Sequence, residues 1–199
     1  MRVSLFVSGC RRHCKDCFNS ETWDFCYGNE FTDDTMNEII TAMDKEYIKG
    51  FSLLGGEPFE KENRVAVQYI LKTIKGHFPN KTVWCYSGFT FEELVGECED
   101  ILKYIDVLVD GAFVAEKKNL KLKFRGSENQ RIINVKKSLE DKTVTELTEY
   151  RITRNKICQA MFYRSDNRTG YRSEYQLQPH KLCSHRNAHI RRLSALSAR

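Results

Sequence analysis

Val3-Ser4-Leu5-Phe6-Val7-Ser8-Gly9-Cys10-Arg11-Arg12-His13-Cys14-Lys15-Asp16-Cys17-Phe18-Asn19 runs from a short apolar stretch through a Ser-Gly turn into three cysteines spaced C-x3-C-x2-C. The apolar part is too short for an export signal and passes straight into the cysteines, so it reads as a buried strand. Cubane iron–sulfur clusters normally take four cysteine thiolates, one on each iron. A compact triad with no evident fourth partner therefore reads as a cluster site with one iron left open. Two other readings of the thiols remain. A structural zinc site usually shows two separated C-x2-C pairs, and here only Cys14 and Cys17 form one. Cys26 is the nearby thiol that would complete a closed four-cysteine site. A disulfide scaffold fits poorly, because the chain is large for one and carries no signal peptide. The thiols are expected to be reduced and the chain cytoplasmic.

Working outward, 199 residues are enough for one domain with a real core, and no apolar run approaches the length of a membrane span. The formal charge of +5 is unevenly distributed. Residues 151–199 carry eleven Lys and Arg against two acids, a net of +9, whereas residues 1–150 carry a net of −4. This divides the chain into a domain over 1–150 and a basic extension over 151–199, expected to be disordered or foreign to the domain. Cys158, Cys183, His185 and His189 lie in the extension, but their spacing lacks the paired first half of a zinc site. No specific nucleic-acid partner is expected, since the Arg residues there offer only a generic phosphate affinity.

Strand-like and helix-like patterns alternate through the first 150 residues. The predicted strands are Val3 to Ser8, Phe51 to Leu54, Thr82 to Tyr86, Val107 to Val109 and Arg131 to Val135. Between them lie helical stripes at Met36, Ile39, Ile40 and Met43, with Asp33 and Asp34 as candidate caps; at Val67, Ile70, Leu71 and Ile74; and from Phe91 to Ile105 as a third helix. Strands joined by helices of this length imply parallel pairing, hence an α/β sheet with helices on at least one side. The turns Ser8-Gly9, Gly55-Gly56, Ser87-Gly88 and Asp110-Gly111 each close a strand, and ligands of α/β folds bind at such strand ends. The cysteine loop is expected to share one rim with the other three.

An ordered set of motifs carries a family resemblance over roughly positions 1 to 135. It comprises Leu5-Phe6-Val7-Ser8-Gly9-Cys10, the triad followed by Phe18-Asn19, Thr22-Trp23, Leu54-Gly55-Gly56-Glu57-Pro58, Trp84-Cys85-Tyr86-Ser87-Gly88-Phe89, Asp106-Val107-Leu108-Val109-Asp110-Gly111 and Arg125-Gly126-Ser127-Glu128-Asn129-Gln130-Arg131. By these the chain resembles the radical S-adenosylmethionine enzymes, and within them the activases of anaerobic (class III) ribonucleoside-triphosphate reductases. The resemblance implies a partial parallel β/α barrel, in keeping with a domain well short of the about 250 residues of a full eight-unit barrel. It leads one to expect a Gly-rich stretch before the first strand, and here Met1 falls inside or just after it.

By the same resemblance, Cys10, Cys14 and Cys17 hold a [4Fe-4S] cluster whose open iron is chelated by the amino and carboxylate groups of S-adenosylmethionine. Gly55 and Gly56 would let backbone approach that ligand, with Glu57 acting by its charge or by fixing the turn. Asp16, Cys17 and Phe18 would line its adenine side. No catalytic residue beyond the cluster ligands is implied. The implied product is the glycyl radical of an anaerobic reductase, with an electron donor such as flavodoxin. A pyruvate formate-lyase type activase and a non-catalytic zinc or iron–sulfur module are the alternatives. Trp23 and Phe25 read as packing residues, His13 as an exposed loop residue, and Cys85 and Cys98 as small buried hydrophobes.

Overall fold

The computed structural model describes residues 1–150 and the two-residue strand His180–Lys181. Seven strands among these residues are β1 (Arg2–Val7), β2 (Asn29–Glu30), β3 (Gly50–Gly55), β4 (Thr82–Tyr86), β5 (Val107–Asp110), β6 (Arg131–Asn134) and β7 (His180–Lys181). They form one sheet in the order β2-β7-β1-β3-β4-β5-β6. Every neighbouring pair is parallel except β5 and β6. The expected α/β class is found, as a mostly parallel mixed sheet. The remaining expectations for the extension, its zinc candidates included, lie outside the described residues.

The antiparallel β6 departs from the parallel pairing expected of the strands. Between Gly111 and Arg131 the sequence has no helix long enough to carry the chain back to the opposite end of the sheet. It instead turns at the rim and returns beside β5, as antiparallel neighbours can.

Helices α1 (Asp33–Met43) and α2 (Lys61–His77) fall on the two predicted stripes. Thr32, and not Asp33 or Asp34, caps α1: its hydroxyl accepts from the Thr35 N–H, and the two acids occupy the first turn, where they complement the helix dipole. The third predicted helix is broken into α3 (Phe91–Leu94) and α4 (Glu99–Leu102). Gly96, at φ +95°, takes a left-handed conformation that interrupts the helix, and Val95 turns outward to 42 % exposure. The apolar stripe nevertheless survives, since Phe91, Leu94, Cys98, Ile101, Leu102 and Ile105 are all buried. A short α5 (Val135–Asp141), unforeseen from periodicity, follows β6 and is capped by Asn134.

The larger core lies on one face of the sheet, where Val3, Leu5 and Val7 of β1 meet the helical stripes of Ile39, Met43, Val67, Ile70 and Ile74. A smaller cluster of Trp84, Val107, Val109 and Ile132 is packed by Tyr86, Leu147 and Tyr150. Cys85 and Cys98 are buried among apolar residues, as the sequence suggested.

Asp110 joins the end of β5 to its neighbours. Its 1 % exposed carboxylate accepts from the Phe91 N–H at 2.8 Å and from Arg131 Nε at 3.0 Å, and Arg131 also bridges Glu92 at 2.6 Å. Removing one member of a buried ion pair strands the other without compensation. Arg131→Met is therefore expected to cost roughly 3–5 kcal/mol, read from urea denaturation; a loss within 1 kcal/mol would show that Asp110 needs no counter-ion.

Candidate cluster site

The cysteine loop leaves β1 at Ser8 and is held by backbone contacts on both sides. Gly9 N–H donates to Thr22 O at 2.8 Å and Cys10 N–H to Trp23 O at 3.1 Å, so the return segment runs beside its start. On the other side, Gly56 N–H donates to Val7 O at 2.7 Å and Glu57 N–H to Gly9 O at 2.8 Å. A side chain on Gly56 would stand 2.6 Å from Gly9 O and 2.9 Å from Thr22 O. Gly55 sits at φ +114°, where a side chain would also meet Val7 O at 2.5 Å. Gly56 is thus demanded by the approach of the cysteine loop, and Gly55 by its left-handed backbone and the approach of β1.

Inside the loop, Cys17 N–H donates to Cys14 O at 3.1 Å, and His13 (φ 45°) and Asp16 (φ 57°) flank Cys14 in left-handed conformations. Such backbone in residues other than glycine is costly and persists where surrounding structure imposes it. Cys10 is buried, Cys14 and Cys17 are half-buried, Cys26 is exposed, and all four are free thiols. Burial pushes the Cys10 thiol up, while the backbone N–H groups of Arg12 and His13 pull it down. Metal binding must take up the cost of deprotonating it.

The expected side-chain roles sort as follows. His13 is exposed and stacks on Trp23, ring centroids 4.6 Å apart, and Phe25 packs against Gly9. Both aromatics shape the loop. Asp16 is exposed, and Phe18 is 96 % exposed beside Cys17. Glu57 is buried at 1 % exposure, and its carboxylate accepts from Ser87 Oγ at 2.8 Å, Gly88 N–H at 2.7 Å and Phe59 N–H at 3.1 Å. Of its two expected roles, fixing the turn is the one these bonds describe, because they fasten the end of β3 to the end of β4. Gly111 N–H donates to Phe89 O at 3.1 Å, so the four glycine turns do form one continuous rim.

Several residues of the site escaped sequence reading. Asn63 Nδ2 donates to Ser8 O at 3.0 Å and to Glu57 O at 2.8 Å, clamping the cysteine loop to the glycine turn from within α2. A signal existed: Asn63 precedes Val67, Ile70 and Ile74 on the same helical stripe, a polar residue in a core seat. Glu60 accepts from Arg11 N–H at 2.9 Å and from the Arg11 guanidinium at 2.7 Å. The Arg12 guanidinium lies 4.1 Å over the Phe89 ring, its Nε buried and without a partner among the described residues.

Among the described residues no three His, Cys, Asp or Glu side chains gather round one point as a single ion requires. The three thiols are instead distributed along one loop. That donor set fits a cubane, in which each cysteine takes a different iron.

Three free thiols on one constrained loop, with no second cysteine group among the described residues, define an iron–sulfur protein of the single-cluster kind. In agreement, residues 1–133 match a family described as a 4Fe-4S single cluster domain. The anaerobic ribonucleoside-triphosphate reductase-activating protein of Enterobacteria phage T4 is 39 % identical over 133 residues, which is 66 % of this chain and 82 % of that protein. The proteins of the same name from Vibrio cholerae and Escherichia coli K12 are 41 % and 37 % identical over 131 residues, covering 65 % of this chain and 84 % and 85 % of theirs. No solved structure matches the chain. The chain belongs to the 4Fe-4S single cluster domain family and, within it, to the anaerobic ribonucleoside-triphosphate reductase-activating proteins.

Burial raises the Glu57 carboxyl to about 7, against the pull of its three hydrogen-bond donors and of Arg12. The folded chain then binds this proton more tightly than the unfolded chain, so its stability falls as pH rises from the ordinary carboxylate range through about 7. Between pH 5 and 8 the stability of the wild type minus that of Glu57→Gln is expected to drop by about 2–3 kcal/mol, measured by urea denaturation. A difference independent of pH would show that Glu57 is ionised throughout.

Proposed function

We propose that this chain is a radical S-adenosylmethionine activase that installs the glycyl radical of an anaerobic ribonucleoside-triphosphate reductase. The observation that carries the reading is the backbone lock between the cysteine loop and the Gly55-Gly56 turn, which brings a three-thiol cluster site against a ligand-binding strand end. The names of the relatives support the choice of reductase over lyase. When bound, the cluster and S-adenosylmethionine supply one-electron cleavage of the sulfonium and the deoxyadenosyl radical that takes hydrogen from the partner's glycine.

The chain's own residues bind and orient. Cys10, Cys14 and Cys17 hold three irons. Gly55 and Gly56 bring the β3 turn against the loop, where the methionine end of the cofactor would meet backbone with no side chain in the way. Glu57 and Asn63 act through that turn by fixing it to Gly88 and to Ser8. Phe18, the Cys17 backbone and Asp16 would flank the adenine side of a bound cofactor, and the 96 % exposure of Phe18 leaves its ring open for stacking. No proton need be moved by a side chain, so the buried Glu57 serves as a bracket and not as a base.

The parallel run β1, β3, β4 and β5, with helices against one face, supports an incomplete barrel open to a protein substrate. The activase domain spans 1–150, and 151–199 is a basic addition, in keeping with matches that extend over about 131–133 residues. Among the described residues no helix is long and apolar enough to cross a membrane. A cytoplasmic site of action and a flavodoxin-type electron source complete the reading.

The test is anaerobic reconstitution, dithionite reduction and assay of 5′-deoxyadenosine, followed by electron paramagnetic resonance of the reductase. Cys10→Ala, Cys14→Ala and Cys17→Ala are each expected to bring 5′-deoxyadenosine to background, whereas Cys26→Ala retains it. A glycyl radical is expected on the reductase and not on a lyase. Loss of activity in Cys26→Ala with a normal cluster in Cys10→Ala would contradict the assignment.

A further inference from the structure

The loop that returns from β5 to β6 carries Lys117-Lys118-Asn119-Leu120-Lys121-Leu122-Lys123-Phe124-Arg125, five cations and no acid. It belongs to a region, residues 1–150, whose net charge is −4, so the run stands against its surroundings. The loop is built and braced. Lys118 and Ser127 pair as an antiparallel bridge, Asn119 N–H donates to Gly126 O at 3.2 Å, and Glu128 N–H donates to Lys117 O at 2.9 Å. Phe124 packs edge-on against Trp84 at 5.1 Å and Tyr150 at 5.4 Å, which anchors the loop to the second face of the sheet.

Its position ties it to the cluster. Glu116, immediately before the run, pairs at 3.3 Å with Lys15, which lies between Cys14 and Cys17. Lys117, Lys118, Lys121 and Lys123 enter no ion pair with the described residues, and Leu120 among them is 84 % exposed. Glu128, which closes the loop, accepts from Asn119 at 2.8 Å and enters no ion pair with these lysines.

We propose that the 117–125 loop is the docking surface for an acidic one-electron carrier protein that reduces the cluster. The proposal rests on the functional reading above and adds where the electron enters. Residues 1–133 match a single-cluster domain and no second cysteine group stands among the described residues, so the electron is taken to come from another molecule bound close to the cysteine loop. The carrier, a reduced acidic flavoprotein, loses one electron as the oxidised cluster gains one, and no bond is made or broken. Lysine is the residue suited to such an encounter. Its hydrated, mobile charge steers a partner from a distance, while stable interfaces are depleted of it, so a lysine surface fits brief, charge-guided contact in preference to lasting assembly with the reductase. Leu120 supplies a small apolar contact in the middle of the charge.

The probe is reduced flavodoxin, used with the full reconstituted chain. Binding is measured by titration, and cluster reduction by stopped flow at several salt concentrations. Each variant's rate with flavodoxin is divided by its own rate with dithionite, which cancels any loss of folded, loaded protein. Reversing Lys117, Lys118, Lys121 and Lys123 to Glu is expected to lower the flavodoxin-to-dithionite ratio and the affinity at least tenfold and to flatten the salt dependence. The four Lys→Gln changes are expected to fall between. An unchanged ratio and affinity overturn the proposal. So does a variant that loses affinity for the reductase while keeping that for flavodoxin, or one whose only change is in self-association. If the wild type makes no 5′-deoxyadenosine with dithionite, the activase reading itself fails, a result separable from failure of docking alone.

Discussion

Everything at the rim depends on how closely two backbones approach, the cysteine loop at Gly9 and the β3 turn at Gly56. With Gly9 O accepting from Glu57 N–H at 2.8 Å and standing 2.6 Å from where a Gly56 side chain would begin, no residue but glycine fits at 56 without displacing the loop. The thiols are therefore positioned by main chain, the least adjustable part of a protein, and their placement is inherited from the register of β1 on β3. Side chains then secure what the backbone sets. Asn63 holds Ser8, Glu57 holds Gly88, and Glu60 holds Arg11. Asn63 and Glu60 tie the loop to the start of α2, and Glu57 ties the β3 turn to the β4 turn, so the site is braced by the helix and sheet beneath it.

This arrangement fits a protein whose cofactors supply the chemistry. The only strongly buried carboxylate at the cysteine loop with a perturbed titration is Glu57 among the described residues, and it is occupied with three donors. What the chain contributes is geometry: three thiols with distinct exposures, left-handed backbone on both sides of Cys14, and an aromatic ring free in solvent beside Cys17. The same rim carries the basic loop through Lys15 and Glu116, so the cluster loop touches the surface from which an electron is proposed to come.

Much of this could be read from the sequence because the relevant signals are local. The strands β1, β3, β4 and β5 and the helices α1 and α2 declare themselves by apolar periodicity, and the rim by the glycine that closes each strand. The misses have physical causes of their own. Periodicity follows burial and not backbone continuity, so the stripe from Phe91 to Ile105 was found while the break at Gly96 was not. The direction of β6 depends on what the connecting segment lacks, and the run of residues 111–130 gives no pattern to read. Glu57 was singled out by its place in a motif, yet its carboxyl turns inward onto Ser87 and Gly88, a direction set by the fold and not by the motif. Asn63 was passed over because one polar residue at the start of a helix ordinarily faces water.

The central claim is that three cysteines leave one iron of the cubane open to a small ligand. The most direct measurement is electron–nuclear double resonance on the reduced protein mixed with S-adenosylmethionine labelled with nitrogen-15 at the amino group or oxygen-17 at the carboxylate. Direct hyperfine coupling of both labels to the cluster is the result this account requires. A fully formed cluster that shows neither coupling, with Cys26 or another side chain on the fourth iron, would contradict it.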